Sequence, residues 1–429
     1  MKCFDVIVVG AGTSGMMAAI AAAKAGSSTL LIEKNKRVGK KLLLTGGGRC
    51  NVTNNRPADE IIAHIPGNGK FLYSAFSQFN NYDIMEFFES NGTHLKEEDH
   101  GRMFPVTDRS KTIVETLFNQ LEKLGVTIYT EAKVEKVLHK EGQIIGVALE
   151  HEKIYAPCVI LTTGGRTYPS TGSTGDGYKL AKRLGHTISP LYATESPIVS
   201  NDDFITEKTL QGLSLQDVAL SVLNSKGKVI VTHQMDLLFT HFGVSGPAAL
   251  RCSSFVNQEL VKNEHKAVTL QLDIFPQKTA LELKNEIQRR LLEQPEKALK
   301  NSLKNLVAER LLDFVLNKTD LSDYQSKQIS EQQLDKIVQC LKSFRINAAK
   351  TLPIEKSFVT GGGISLKEIH PKTMESKLVN GLFFAGELLD INGYTGGYNV
   401  TAAFVTGHVA GTHAANIADY TFLPSVEQD

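Results

Sequence analysis

The chain has 429 residues, enough for two or three domains and for a large apolar core that needs no disulfide or metal staples. Lys and Arg number 47 against 46 Asp and Glu, a net charge of +1, so whole-chain charge selects neither a nucleic acid nor a membrane surface. The five cysteines (Cys3, Cys50, Cys158, Cys252, Cys340) form no CxxC pair, which excludes a metal knuckle or a vicinal redox dithiol and fits a reducing cytoplasm.

The apolar run Phe4-Asp5-Val6-Ile7-Val8-Val9 predicts a buried strand. It enters Gly10-Ala11-Gly12-Thr13-Ser14-Gly15, then an Ala-rich helix over 16–25 that Gly26 stops, then a second strand, Thr29-Leu30-Leu31-Ile32, ending at Glu33. Strand, glycine turn, helix, strand and acid, the acid 21 positions after Gly12, form the dinucleotide-binding fingerprint. Gly10 makes the turn, Gly12 admits a pyrophosphate, Gly15 allows close packing, and the helix N-terminus presents N–H groups to the anion. Glu33 suits an adenosine ribose and repels an additional phosphate. The glycines and Asp5 argue against reading this stretch as a signal peptide, and no other stretch reaches membrane-spanning length without a charge.

The basic run 34–41 reads as phosphate-pairing or simply solvated. Thr45-Gly46-Gly47-Gly48-Arg49-Cys50-Asn51 suits backbone folded against a flat ligand, with Cys50 as a proton donor or a small buried hydrophobe. Residues 71–90 predict one or two amphipathic helices, and 110–124 a helix with Ile113, Leu117 and Leu121 on one stripe. Short strands over 126–129, 134–139, 144–149 and 153–155 read as a meander. The strand 159–162 meets Thr163-Gly164-Gly165, and Asp176 reads as the cap of the next helix.

From about 191 to 272 strand-like alternation predicts an antiparallel sheet or partial barrel, with Pro247 opening a helix. His241 in this part reads as structural by default and as a site residue in the alternative. Residues 278–345 are helical by pattern, and 13 Lys and Arg against 10 Asp and Glu make them only mildly basic, so a solvated helical insert is expected rather than an RNA-binding face. Strand-then-glycine returns at Phe358-Val359-Thr360-Gly361-Gly362-Gly363 and at Phe383-Phe384-Ala385-Gly386-Glu387. Gly393-Tyr394-Thr395-Gly396-Gly397-Tyr398-Asn399 then opens a small-residue helix over 400–415 whose N-terminus suits the negative charge of a reduced flavin.

Together these motifs resemble the BaiN-like, YhiN-like flavoproteins, a family of NAD(P)/FAD-dependent oxidoreductases whose FAD domain is similar to that of fumarate reductases and ketosteroid dehydrogenases. The resemblance implies an α/β fold: a Rossmann-like FAD domain from 1–190 plus 353–429, a β-rich, barrel-like insert at 191–277 and a helical one at 278–352. It implies FAD contacts from Gly10, Gly12, Thr13, Ser14 and Gly15, from Glu33, Lys34, Lys41, Thr45, Gly46, Gly47, Arg49, Cys50 and Asn51, and from Val134. Further along the chain it implies Thr163, Gly164 and Gly165, with Gly386, Glu387, Gly396, Gly397, Tyr398 and Asn399. Glu387 would hold the ribityl hydroxyls. Relatives are linked to reducing C=C bonds of oxidised bile acids or a ribosomal RNA uridine, both hydride additions to an enone-like bond followed by a proton. Cys50, His241, Arg49 and Tyr398 are the candidate proton donors, unranked. NAD(P)H or another donor is expected to refill the flavin; with no second GxGxxG carrying its own acid, it binds transiently at the flavin face or the electrons come from elsewhere. An RNA base is favoured over a steroid-like small molecule. A non-catalytic flavin-carrying RNA-binding or assembly factor and an oxygen-activating hydroxylase stand as alternatives. No metal site and no membrane partner are expected, and oligomeric state is not readable.

Overall fold

The computed structural model describes residues 2–264 and 266–420. The chain divides into two compact units, one running to Tyr192 and resuming at Ile354, the other spanning Ala193–Pro353.

The first unit is built on a five-stranded parallel sheet. Its spatial order is Leu382–Phe384, Cys158–Leu161, Val6–Val9, Thr29–Ile32 and Thr127–Tyr129. Cys158 stands opposite Val6, Val6 opposite Thr29, and Val159 opposite Leu382. Four of the five strands, all but the edge strand Thr127–Tyr129, are fully buried, as continuous apolar runs must be when helices cover both faces. A separate four-stranded sheet joins Lys2–Cys3, Lys153–Tyr155, Gln143–Ala148 and Lys136–Lys140. The expected meander thus loses its first strand. Thr127–Tyr129 pairs parallel with Thr29–Ile32 instead. The helix Ser110–Lys123 immediately before it returns the chain to the starting end of the sheet, as parallel pairing requires.

The N-terminal helix Thr13–Lys24 packs on the C-terminal helix Tyr398–Tyr420 through small residues. A Cβ added at Gly407 would lie 2.3 Å from the Ser14 carbonyl oxygen, and one at Gly411 2.1 Å from that of Ala18. The two chain ends are therefore in backbone contact inside one core.

The second unit contains a closed six-stranded barrel, ordered Ile198–Ser200, Gly243–Ser245, Val229–Phe239, Ser214–Leu223, Val268–Asp273 and Phe344–Thr351. The alternation of Val268–Asp273, with Val268, Leu270 and Leu272 buried, is the pattern that closes it. The helices Pro247–Lys262, Ala280–Glu293, Glu309–Lys318 and Glu331–Lys342 share its apolar core. Reciprocal caps start two of them, Thr279 with Glu282 and Ser330 with Gln333. Among the described residues no helix is long and apolar enough to cross a membrane.

Candidate active site

Gly10 turns with φ +100°, and a Cβ there would stand 2.7 Å from the Thr162 carbonyl oxygen. A Cβ on Gly15 would come within 1.8 Å of the Gly10 carbonyl oxygen. These two glycines are demanded by packing. Gly12 is not: a Cβ there meets nothing within 4 Å. Gly12 is the N-cap of the helix Thr13–Lys24, and no side chain caps it. An uncapped helix start, with the positive end of its dipole, is the arrangement an anion fills.

Glu33 follows directly on the neighbouring strand and is buried. One carboxylate oxygen accepts the Ala11 N–H at 2.8 Å, and the other accepts the Asn35 N–H at 2.8 Å and its amide at 2.6 Å. A carboxylate offers about four acceptor positions, so capacity remains for a ribose hydroxyl. Ala132 N–H donates to the Glu33 carbonyl at 3.0 Å, which brings the segment carrying the buried Val134 alongside.

Three lysines of the basic run are committed to protein partners. Lys34 donates to Thr174 and Asp176, Lys40 to the Ser170 carbonyl, and Lys41 to Thr167 and Glu387. They clamp the loop 167–176 beside the nucleotide turn. This corrects one expectation: Gly175, not Asp176, is the N-cap of the helix Asp176–Arg183, because the Asp176 carboxylate is drawn to Lys34 at 2.7 Å. Glu387 also accepts the Thr360 N–H at 2.9 Å. Burial pushes its pKa up, but Lys41 and the Thr360 N–H more than offset that and hold it below the usual range. Gly165 is pressed into the same corner, where a Cβ would meet Thr360 Oγ1 at 2.2 Å, and Gly164 turns with φ +75°. Thr163 Oγ1 is buried with no hydrogen-bond partner among the described residues.

Gly46, Gly47 and Gly48 are all left-handed, and Cβ atoms on the last two would meet nothing within 4 Å. Thr45 Oγ1 donates to the Leu42 carbonyl. Cys50 is fully buried, and desolvation pushes its thiol up to about 12 despite a hydrogen bond with Thr45. Arg49 makes a two-pronged pair with Glu98 at 2.8 and 3.0 Å, reaches Asp108 at 3.1 Å and lies 4.1 Å above the Phe104 ring. Asn51, with its amide turned to satisfy both ends, donates to the Thr53 carbonyl at 2.8 Å and accepts the Gly397 N–H at 3.0 Å.

That bond begins a seam. Asn54 donates to the Gly396 carbonyl at 3.0 Å, and the Thr53 and Thr401 hydroxyls meet at 2.8 Å. Gly397 turns with φ +93°, and a Cβ there would lie 2.7 Å from the Thr53 carbonyl oxygen. Asn399 braces Gly393 from both sides at 2.8 Å. Tyr398, buried, stacks on His64 at 4.7 Å and 16°. His64 Nδ1 is 2.7 Å from the Glu60 carbonyl oxygen, which can only accept, so Nδ1 carries a proton. His64 was not foreseen: a lone histidine between Ala63 and Ile65 carries no sequence signal. His241 belongs to the second unit, exposed on the turn after Val229–Phe239 with its ring edge-on to Phe242.

Residues 10–15, 33–54, 163–177 and 386–399 thus converge in the first unit, and residues 4–413 match the HI0933-like protein Rossmann domain. The chain belongs to the HI0933-like family. Two relatives cover nearly all of it. A protein of Escherichia coli K12 named ribosomal RNA dihydrouridine synthase is 30% identical over 93% of this chain and 95% of its own length. A protein of Clostridium scindens named 3-dehydro-bile acid delta(4,6)-reductase is 29% identical over 95% and 98%. Among solved structures, 3-ketosteroid delta1-dehydrogenase of Sterolibacterium denitrificans shares the fold at a TM-score of 0.53 and 14% identity, over 97% of this chain and 100% of that one.

As an HI0933-like protein, the chain is an FAD-dependent oxidoreductase. The geometry fits the group. The uncapped helix end and open Gly12 accommodate a pyrophosphate, and Glu33 retains ribose-binding capacity. The open left-handed run Gly47-Gly48 and the start of the helix Tyr398–Tyr420 supply glycine-walled backbone for a flat ring. The thiols give a direct check. Iodoacetamide at pH 8 is expected to label exposed Cys3 well before buried Cys50, Cys158 and Cys252, all three with thiol pKa values raised by desolvation. Peptide mass spectrometry showing Cys50 modified as fast as Cys3 would refute its buried placement.

Proposed function

We propose that this enzyme reduces the C5=C6 bond of a uridine in ribosomal RNA, with NAD(P)H as the transient electron donor. The observation that carries the reading is the match over nearly the whole chain to a relative named for that reaction, together with a glycine-walled site. Bound FAD supplies two-electron hydride chemistry. In the net reaction NAD(P)H and a proton are consumed, the pyrimidine ring gains two hydrogens, and NAD(P)⁺ leaves. The protein's part is to bind the nucleotide end at Gly10–Gly15 and Glu33, to brace the ring-facing turn through Asn51, Asn54 and Asn399, and to provide the proton. We propose packing roles for Cys50, Arg49 and Tyr398, which are buried or engaged with neighbouring groups. We also keep 1–190 with 353–429 as the FAD domain, 191–277 and 278–352 as its inserts, and a cytoplasmic setting for the five free thiols.

The bile-acid relative sustains a second reading, reduction of a steroid-like enone. One experiment separates them. The purified protein is bleached with NADPH or NADH without oxygen, then mixed with an unmodified ribosomal RNA fragment or with a conjugated 3-ketosteroid. The expected result is recovery of the yellow colour with RNA, and dihydrouridine in the digest. Recovery with the steroid alone would discard the RNA reading. No bleaching by either nicotinamide would favour a flavin-carrying factor without turnover.

A further inference from the structure

The first unit holds a groove of about 660 Å³ lined by none of the residues assigned to FAD. Its floor is apolar, with Ile62 and Ile65 buried. On its rim Phe71 is half-buried and Tyr73 is 50% exposed. Two exposed lysines from distant segments, Lys70 and Lys367, belong to its lining, and neither ammonium is hydrogen-bonded or ion-paired among the described residues. Lys34, Lys40 and Lys41, by contrast, are engaged with protein. Asp59 is the one carboxylate in the lining, so the groove keeps an excess of positive charge.

The groove wall is also a wall of the cofactor turn. Gly67 N–H donates to the Asn392 carbonyl at 2.9 Å and Asn392 N–H to that of Gly67 at 3.2 Å. Asn68 donates to the Asp390 carbonyl at 2.8 Å, and Tyr394 N–H to the His64 carbonyl at 3.0 Å. The bridged segment runs directly into Gly396–Asn399. A molecule lying in the groove is therefore one loop away from the turn that faces the flavin.

We propose that this groove binds single-stranded RNA next to the target base, with bases stacked on Tyr73 and Phe71 and phosphates held by Lys70 and Lys367. Aromatic rings reachable from solvent beside cations are the means by which proteins hold single strands without reading sequence. A free steroid calls for an enclosed apolar cavity with few charges, and the charged, exposed rim does not offer one. The inference rests on the RNA reading above and names where the strand runs.

The test is fluorescence anisotropy of the FAD-loaded protein with a labelled, uridine-rich RNA of about 12 nucleotides, a length within the range one such site spans, titrated at several KCl concentrations. Relative to wild type, K70A/K367A is expected to lower the slope of log K against log salt by roughly 0.7 for each lysine removed. Y73A is expected to weaken binding about tenfold with the slope unchanged. The flavin spectrum and the rate of bleaching by NAD(P)H should match wild type in both variants. If wild type binds the RNA and the variants bind it with the same affinity and slope, the groove assignment is overturned while the RNA reading stands. If wild type binds no RNA at all, the RNA reading falls and takes the groove with it. If the lysine variant instead loses only binding of an anionic steroid, the groove belongs to a small molecule and the proposal is wrong.

Discussion

Gly407→Val is expected to yield a protein that loses FAD and melts well below wild type. The two glycines Gly407 and Gly411 lie one helical turn apart and meet Ser14 and Ala18, also one turn apart, so the helices touch backbone to backbone along two successive turns. A valine at 407 would place its Cβ 2.3 Å from a carbonyl oxygen, and a backbone atom cannot rotate aside as a side chain can. The helices must separate by an ångström or more, at a cost of about 3 kcal/mol. The displacement would also reach the site. Ser14 is two residues past the open Gly12 and packs against Gly386, whose N–H donates to Thr406 Oγ1 at 3.0 Å. Asn416→Val, on the exposed side of the same helix, puts in the same β-branched side chain without the collision and should stay near wild type. Thermal melts and the flavin-to-protein absorbance ratio check both. A Gly407→Val protein with wild-type melting and flavin content would mean that the helices have room which the geometry denies.

What could be read from the sequence follows the range of the forces involved. The first 33 residues were legible because each signal is local: an apolar run is a buried strand, and a glycine fingerprint fixes the turn. The barrel was legible as alternation, since Val268, Leu270 and Leu272 declare one face. Partners distant in sequence were not legible. Nothing in the run 34–41 says that Lys41 will meet Glu387, 346 residues later, or that Lys34 will take Asp176 from its helix cap. Thr127–Tyr129 looked like part of the meander because its alternation is that of any short strand, and only the preceding helix decides which sheet it joins. The seam from Asn51 to Gly397 was invisible for the same reason. The sequence marks both ends as glycine-rich, and chain topology alone joins them.

Glu387→Gln is expected to lower the stability of the cofactor-free protein by about 2 kcal/mol at neutral pH, with a pH signature that identifies the cause. The wild-type carboxylate takes the Lys41 ammonium at 2.7 Å on one oxygen and the Thr360 N–H at 2.9 Å on the other. A glutamine must turn its NH₂ toward one of these donors, leaving either the Thr360 N–H unpaired or Lys41 with Thr167 alone. Breaking one side of a wholly buried ion pair costs about 3–5 kcal/mol. The side chains here are 26% and 21% exposed, so water screens part of that loss. Because the folded protein holds Glu387 below the ordinary glutamate range, its contribution is complete above about pH 5 and fades as the pH falls through the folded value. Wild type and variant should therefore differ most in melting temperature near pH 7 and converge in acid. A gap of the same size at pH 7 and below pH 4 would assign the loss to packing instead of charge. The same variant also separates two roles for the residue. If Glu387 served only the ribityl hydroxyls, as resemblance to other flavoproteins implies, the variant would lose FAD affinity while the cofactor-free protein melted as wild type. If its first duty is to hold Lys41, and through it Thr167 and the loop 167–176 beside the nucleotide turn, the cofactor-free protein itself must soften, and FAD binding falls because its cradle is no longer in place.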